Sequence, residues 1–328
     1  MIFPSIFALV YGNICIEWGE VQSVGQLDPN ILESSGLVML ADGSLLTHND
    51  SGDGAVLYKV SQTGTLLQTI ELGGAVAVDW ESLAAGPCGE DTCIFVADVG
   101  DNGASRQSVT IFRFPVQSLM TEEPATVLGN YTPLEVVYPD GPRDCEAVAV
   151  DPMTGTLVFI EKIPKGEARW YKLQPEAWRG PELAELTYGG LIDTGADSFT
   201  GGWMTGGDFD PSGTILWTRT YPQGFGWSVR RGDGGEIEAL DYFSDFEIPI
   251  NEQCESITVS PDGEKLWLSC EGRDGVLASA ECASFAGAQG SSETESGDSS
   301  TQGCAAGAAA LWWQLIAFSL ARRTLRIL

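Results

Sequence analysis

The chain has 328 residues, 46 of them Asp or Glu against 17 Lys or Arg, for a formal net charge of −29 with a single histidine, His48. Nucleic acid is excluded as a partner on this balance, because its binding relies on Lys and Arg neutralising phosphates. The acidity serves solubility in a salty exterior or supplies carboxylates for divalent cations.

Residues 1–12, MIFPSIFALVYG, are apolar and end in a small residue, as the later part of a secretory signal does, although no basic start precedes them. An ordinary first strand is the alternative. From residue 13 a different pattern takes over: five stretches share a small-residue or glutamate start, a short apolar run, a Pro/Asp/Gly turn and a β-rich return. They read ESSGLVMLADGSLLTHND from Glu33, ESLAAGPCGEDTCIFVADVGD from Glu81, CEAVAVDPMTGTLVFIEK from Cys145, TGGDFDPSGTILWTRT from Thr205 and CESITVSPDGEKLWLSCEG from Cys254. Glu81, Glu146, Thr205 and Glu255 each stand six residues before the turn prolines Pro87, Pro152, Pro211 and Pro261, and Ser35 fills that slot in the first copy. The copies recur every 46 to 65 residues, the length of a four-stranded propeller blade and too long for a leucine-rich or helical repeat.

Each copy is preceded by a further β-like run: EVQSVGQ, LLQTIEL, TPLEVVY, ELTYGGLI and EALDYFSDF. The first of these is placed to pair with the last blade and close the ring, which removes exposed sheet edges. The expected fold is therefore all-β, a single β-propeller over residues 13–285 with five blades closed by an N-terminal strand. A degenerate sixth blade over residues 125–139 is the alternative count.

Eight cysteines are many for a reduced cytosolic enzyme and point to an oxidising compartment. Cys88 and Cys93 flank GEDT in a hairpin loop, and Cys254 and Cys270 lie symmetrically about Asp262, so two bridges are expected. Residues 286–303 form a Gly/Ser/Glu linker. Cys304, an uncharged run over 305–321 and the cluster Arg322, Arg323, Arg326 follow, which predicts a C-terminal transmembrane helix with the propeller outside the cell.

THNDSGD (47–53), DWESLAAGP (79–87), FVADVGDN (95–102), TIFRFP (110–115), DCEAVAVDP (144–152), TGGDFDPSG (205–213), RTYPQGFGW (219–227) and CESITVSPDG (254–263) resemble secreted bacterial propeller proteins related to the SdiA-regulated and esterase-like phytase groups. The resemblance implies a secreted propeller and brings no established reaction. Linker, cysteine, apolar helix and arginines together resemble the C-terminal sorting signals of myxobacterial surface proteins. This implies export, delivery to the cell surface or outer membrane, and processing near Cys304.

First strands of propeller blades line the axial channel, so the repeat slot places Glu81, Glu146 and Glu255 in one ring with Ser35 and Thr205. Two readings stand. In one, the ring with Asp50, Asp98 and Asp101 binds Ca²⁺ or another divalent cation through oxygens, while Lys162 and Arg219 hold an anionic ligand. In the other, the glutamates tie blade to blade by hydrogen bonds and by pairing with Lys162 and Arg219. Tyr221 and Trp227 are candidates for a stacking surface, and His48 or Asp98 for a general base. The function expected is an exported, monomeric ligand-binding module for a small molecule, glycan or protein. The alternatives are a metal-assisted hydrolase of a phosphate ester, lactone or other small ester, and a protein-interaction scaffold.

Overall fold

A computed structural model describes residues 14–121, 123–195, 200–250 and 253–286. The expected signal, linker and C-terminal apolar segment with Cys304 lie outside the described residues, among which no helix is long and apolar enough to cross a membrane.

The described residues form five mainly antiparallel sheets, each running from an inner strand outward. The first holds Ser34–Met39, Leu45–Asn49, Val56–Val60 and Leu66–Leu72, and the second Trp80–Cys88, Asp91–Asp98, Val109–Pro115 and Thr132–Val137. The third holds Cys145–Val150, Leu157–Glu161, Glu167–Leu173 and Thr187–Asp193, and the fourth Gly206–Phe209, Ile215–Arg219, Gln223–Arg231 and Ile237–Glu247. The fifth, Cys254–Val259, Lys265–Cys270 and Val276–Phe285, takes its outer strands from the N-terminus: Cys15–Trp18 and Gln22–Gln26 both pair with Val276–Phe285. Inner strands touch their neighbours in sequence order, and the last returns to the first, so the ring is closed. The protein is a five-bladed β-propeller. Residues 125–139 make no sixth blade: Ala125–Leu128 adds in parallel outside Leu66–Leu72, and Thr132–Val137 is the outer strand of the second blade.

Local sequence explains the hairpins between first and second strands. Asp42, Asp151, Asp210 and Asp262 accept backbone N–H bonds from Ser44, Met153, Ser212 and Glu264 respectively, and Gly43, Gly89, Gly155, Gly213 and Gly263 supply the positive φ that such turns need. Packing then joins the blades, with one apolar cluster at each of the five interfaces. The seam between last and first blades is no exception, for Trp267 and Leu277 pack with Leu37, Leu45 and Tyr58 there.

Both expected disulfides are present, Cys88–Cys93 and Cys254–Cys270. A third, Cys15–Cys282, lies across the closing seam and links residues 267 positions apart, whereas Cys145 is buried and free. Loop-closure entropy grows with the length enclosed, about 5 kcal/mol for a loop of this size against about 2 kcal/mol for one of a few residues. A Cys15→Ser, Cys282→Ser double variant is therefore expected to lose more unfolding free energy in urea than a Cys88→Ser, Cys93→Ser variant. Equal losses would mean that the seam is held by packing alone.

Candidate functional site

At the start of the inner strands the ladder to the second strand slips. Register shifts fall between Trp80 and Ser82, between Cys145 and Ala147, and between Cys254 and Ser256. The residue inside each slip is Glu81, Glu146 or Glu255, so the repeated glutamate is a β-bulge residue whose side chain is re-aimed away from the ladder. All three glutamates are buried, at 2–3% exposure, as are Ser35 and Thr205 at 0%.

Two blade-to-blade ties at this level run from a hydroxyl to a glutamate backbone carbonyl. Ser35 Oγ donates to the carbonyl of Glu81 at 2.6 Å, and Thr205 Oγ1 to that of Glu255 at 3.1 Å. Oε2 of Glu81, Glu146 and Glu255 is in each case buried without a hydrogen-bond partner. Of the remaining oxygens, Glu146 Oε1 pairs with Lys162 Nζ, and Glu255 Oε1 accepts from the Tyr221 hydroxyl at 3.0 Å. The ammonium of Lys162 also lies 5.1 Å from the Trp203 ring and 5.8 Å from that of Tyr221, a cation–π seat.

Further carboxylates crowd in. Asp50, Asp79 and Glu81 each offer an oxygen within 4.8 Å of the others, and so do Asp50, Glu255 and Glu271. These acidic residues are placed to hold an ion. Gly100 completes the wall: a methyl group on its Cα would stand 2.3 Å from Glu81 Oε1 and 2.5 Å from Asp79 Oδ2, so only glycine leaves room for both carboxylates. Desolvation, then the charges of Glu146, Asp50 and Glu255, raises Glu81 well above the ordinary carboxylate range. Burial lifts Glu146 to about 9 against the pull of Lys162, Glu271 to about 8 with Glu255 adding to it, and Asp50 to about 6. Lys162 is raised by Glu146 despite its own burial and keeps its charge.

Several expected site residues are engaged elsewhere. Asp98 is paired with Arg106 at 2.8 Å and accepts the amides of Val78 and Asp79. Asp101 accepts the amides of Ser105 and Arg106 and so folds its own loop. Arg219 offers no free face to an anion, because it is fully buried and donates to the carbonyls of Thr220, Ser256 and Tyr221. Trp227 is packed between the third and fourth blades with its Nε1 on Thr218 Oγ1 at 2.8 Å, which takes it off any stacking surface. The ring of His48 is fully buried against Trp80, its Nδ1 donates to the Asn49 carbonyl at 2.8 Å, and burial drives it down to about 4. Glu146 faces Lys162 and belongs to neither compact acidic set.

Asp79 and Glu271 were not among the expected ligands. The signal for Asp79 is the D-x-E spacing shared by Asp79–Trp80–Glu81 and Asp144–Cys145–Glu146. Glu271 directly follows Cys270, the last residue of the return strand beside the ring.

No family model matches the chain, and no curated protein matches it. Among solved structures, the PQQ-bound form of an aldose sugar dehydrogenase from Streptomyces coelicolor aligns at 14% identity over 81% of this chain and 98% of that chain, with a TM-score of 0.45. At that similarity the blade count rests on this chain's own strand pairing.

The raised carboxylates fix a pH dependence. Glu146 and Glu271 bind protons in the folded state up to about 9 and 8, against an ordinary value of 4.5, so the native state holds more protons than the unfolded one across that window. Stability then falls as pH rises. His48 works oppositely below 6.5, because folding holds it at about 4. Chelator-treated protein should lose melting temperature between pH 7 and 9, and Glu271→Gln should flatten that slope; a flat profile in the parent protein would contradict the burial of these charges.

Proposed function

We propose that the protein is an exported ligand-binding propeller whose axial carboxylates hold a divalent cation, with Ca²⁺ the first choice for an all-oxygen donor set. The observation that carries this reading is that Glu81 and Glu255, each a member of a compact acidic set, have a buried oxygen without a partner. A buried polar atom left unpaired costs free energy, and an ionised one costs more. A hard cation is the partner that satisfies several at once. The cation would also present open coordination positions to a ligand, with Tyr221, Trp203 and the Lys162 ammonium alongside.

Binding is favoured over ester hydrolysis because neither proposed base is poised for it. His48 is sealed between blades, and Asp98 is committed to Arg106 and two amides. Export is supported by the three disulfides, and the C-terminal sequence supports delivery to the cell surface.

Titrating chelated protein with Ca²⁺ should raise its melting temperature. At a hundredfold excess over Kd the stabilisation is about 2.7 kcal/mol, several degrees for a domain of this size. Glu81→Gln should keep or raise the melting temperature of the metal-free protein while reducing the Ca²⁺ response. A glutamate serving structure alone would instead lower stability with and without Ca²⁺. Silence towards Ca²⁺, Mg²⁺, Mn²⁺ and Zn²⁺ alike would overturn the reading.

A further inference from the structure

We infer that the axial mouth takes two divalent cations side by side, bridged by the carboxylate of Asp50. The inference deepens the cation reading and rests on it. Asp50 belongs to both compact acidic sets, with Asp79 and Glu81 in one and with Glu255 and Glu271 in the other. Among the described residues the two sets share Asp50 alone. Oxygens bound to one Ca²⁺ at about 2.3–2.6 Å stand at most about 5 Å apart. The three oxygens of each set lie within 4.8 Å of one another, so modest side-chain rotation would bring them onto one ion.

Ring order explains the sharing. Asp50 follows the second strand of the first blade, Asp79 and Glu81 stand at the start of the second, and Glu255 and Glu271 come from the fifth. In a closed ring the first blade lies between the other two, so its acidic loop is the natural bridge. The backbone anchors that loop, since the Asp50 amide donates to the Glu33 carbonyl at 2.8 Å.

A crowd of carboxylates alone would be weak grounds for any ion, but each set here has a glutamate with an unsatisfied buried oxygen. Glu81 belongs to one set and Glu255 to the other; each carries a buried Oε2 without a partner, on residues only 2% and 3% exposed. A single ion in either set leaves the other oxygen without a partner. Charge argues the same way, because five carboxylates cannot all ionise at this spacing unaided. One dication leaves three formal negative charges, and two leave one, beside the ammonium of Lys162.

Native mass spectrometry and calorimetry on the chelated full chain, with Ca²⁺ as the probe, count the ions directly. Two Ca²⁺ per chain are expected. Asp79→Asn and Glu271→Gln should each leave one, and Asp50→Asn should weaken both by at least tenfold, with circular dichroism checking that every variant is folded. A single Ca²⁺ in the parent, lost equally in Asp79→Asn and Glu271→Gln, would overturn the paired site while leaving the cation reading intact. Absence of any bound cation would overturn both. Two ions unaffected by Asp50→Asn would refute the bridge.

Discussion

Closure of the ring is the constraint on which the rest of this molecule depends. The four main strands of each of the first four blades follow one another in chain order, but the fifth borrows its outer strands from the N-terminal side, so the two ends of the propeller must meet for the ring to close. Backbone pairing, a full apolar cluster around Trp267 and a covalent bridge all converge on that seam. Long-range pairing of this kind forms late and slowly, since loop entropy must be overcome before contacts reward it. Only after closure are Glu81, Glu146 and Glu255, far apart in sequence, brought to one depth.

At the axis a local defect in three of the ladders becomes a global feature. A bulge turns one side chain per strand out of the regular alternation, and rotational repetition points three such side chains at a common centre. Where the slot holds Ser35 or Thr205, the hydroxyl bonds the next blade's glutamate carbonyl. That leaves one oxygen of each glutamate unpaired, while Glu146 Oε1 keeps Lys162 and Glu255 Oε1 keeps Tyr221. The arrangement crowds ionisable groups into a buried centre, where desolvation and mutual repulsion favour their protonated forms at a cost in stability as pH rises.

Much of the fold was legible because propeller geometry is periodic and the turn chemistry repeats. In-phase Pro/Asp/Gly turns and the symmetric placement of Cys254 and Cys270 about Asp262 gave the blades and that disulfide directly. The borrowed strand at Gln22–Gln26 followed from needing a fifth outer edge. Less was legible of the site. Asp98, Asp101 and Trp227 have suitable chemistry, but their orientation depends on loop hydrogen bonds and on strand facing that one sequence does not fix. Arg219 ends the second strand of its blade beside the ring, yet three carbonyls absorb its guanidinium. The Cys15–Cys282 pairing was hidden for another reason: its partners sit at opposite ends of the domain, where spacing carries no information.

That same bridge changes what kind of object the domain is. With Cys15 joined to Cys282, the backbone between them becomes a covalent circle of blades. A protease that cuts one inter-blade loop would then linearise the circle instead of releasing a fragment, and the nicked chain would be in effect a circular permutant of itself. Five equivalent openings exist, one at each crossing between blades. In an environment rich in proteases, such a topology tolerates a first cut anywhere and yields separate pieces only at the second.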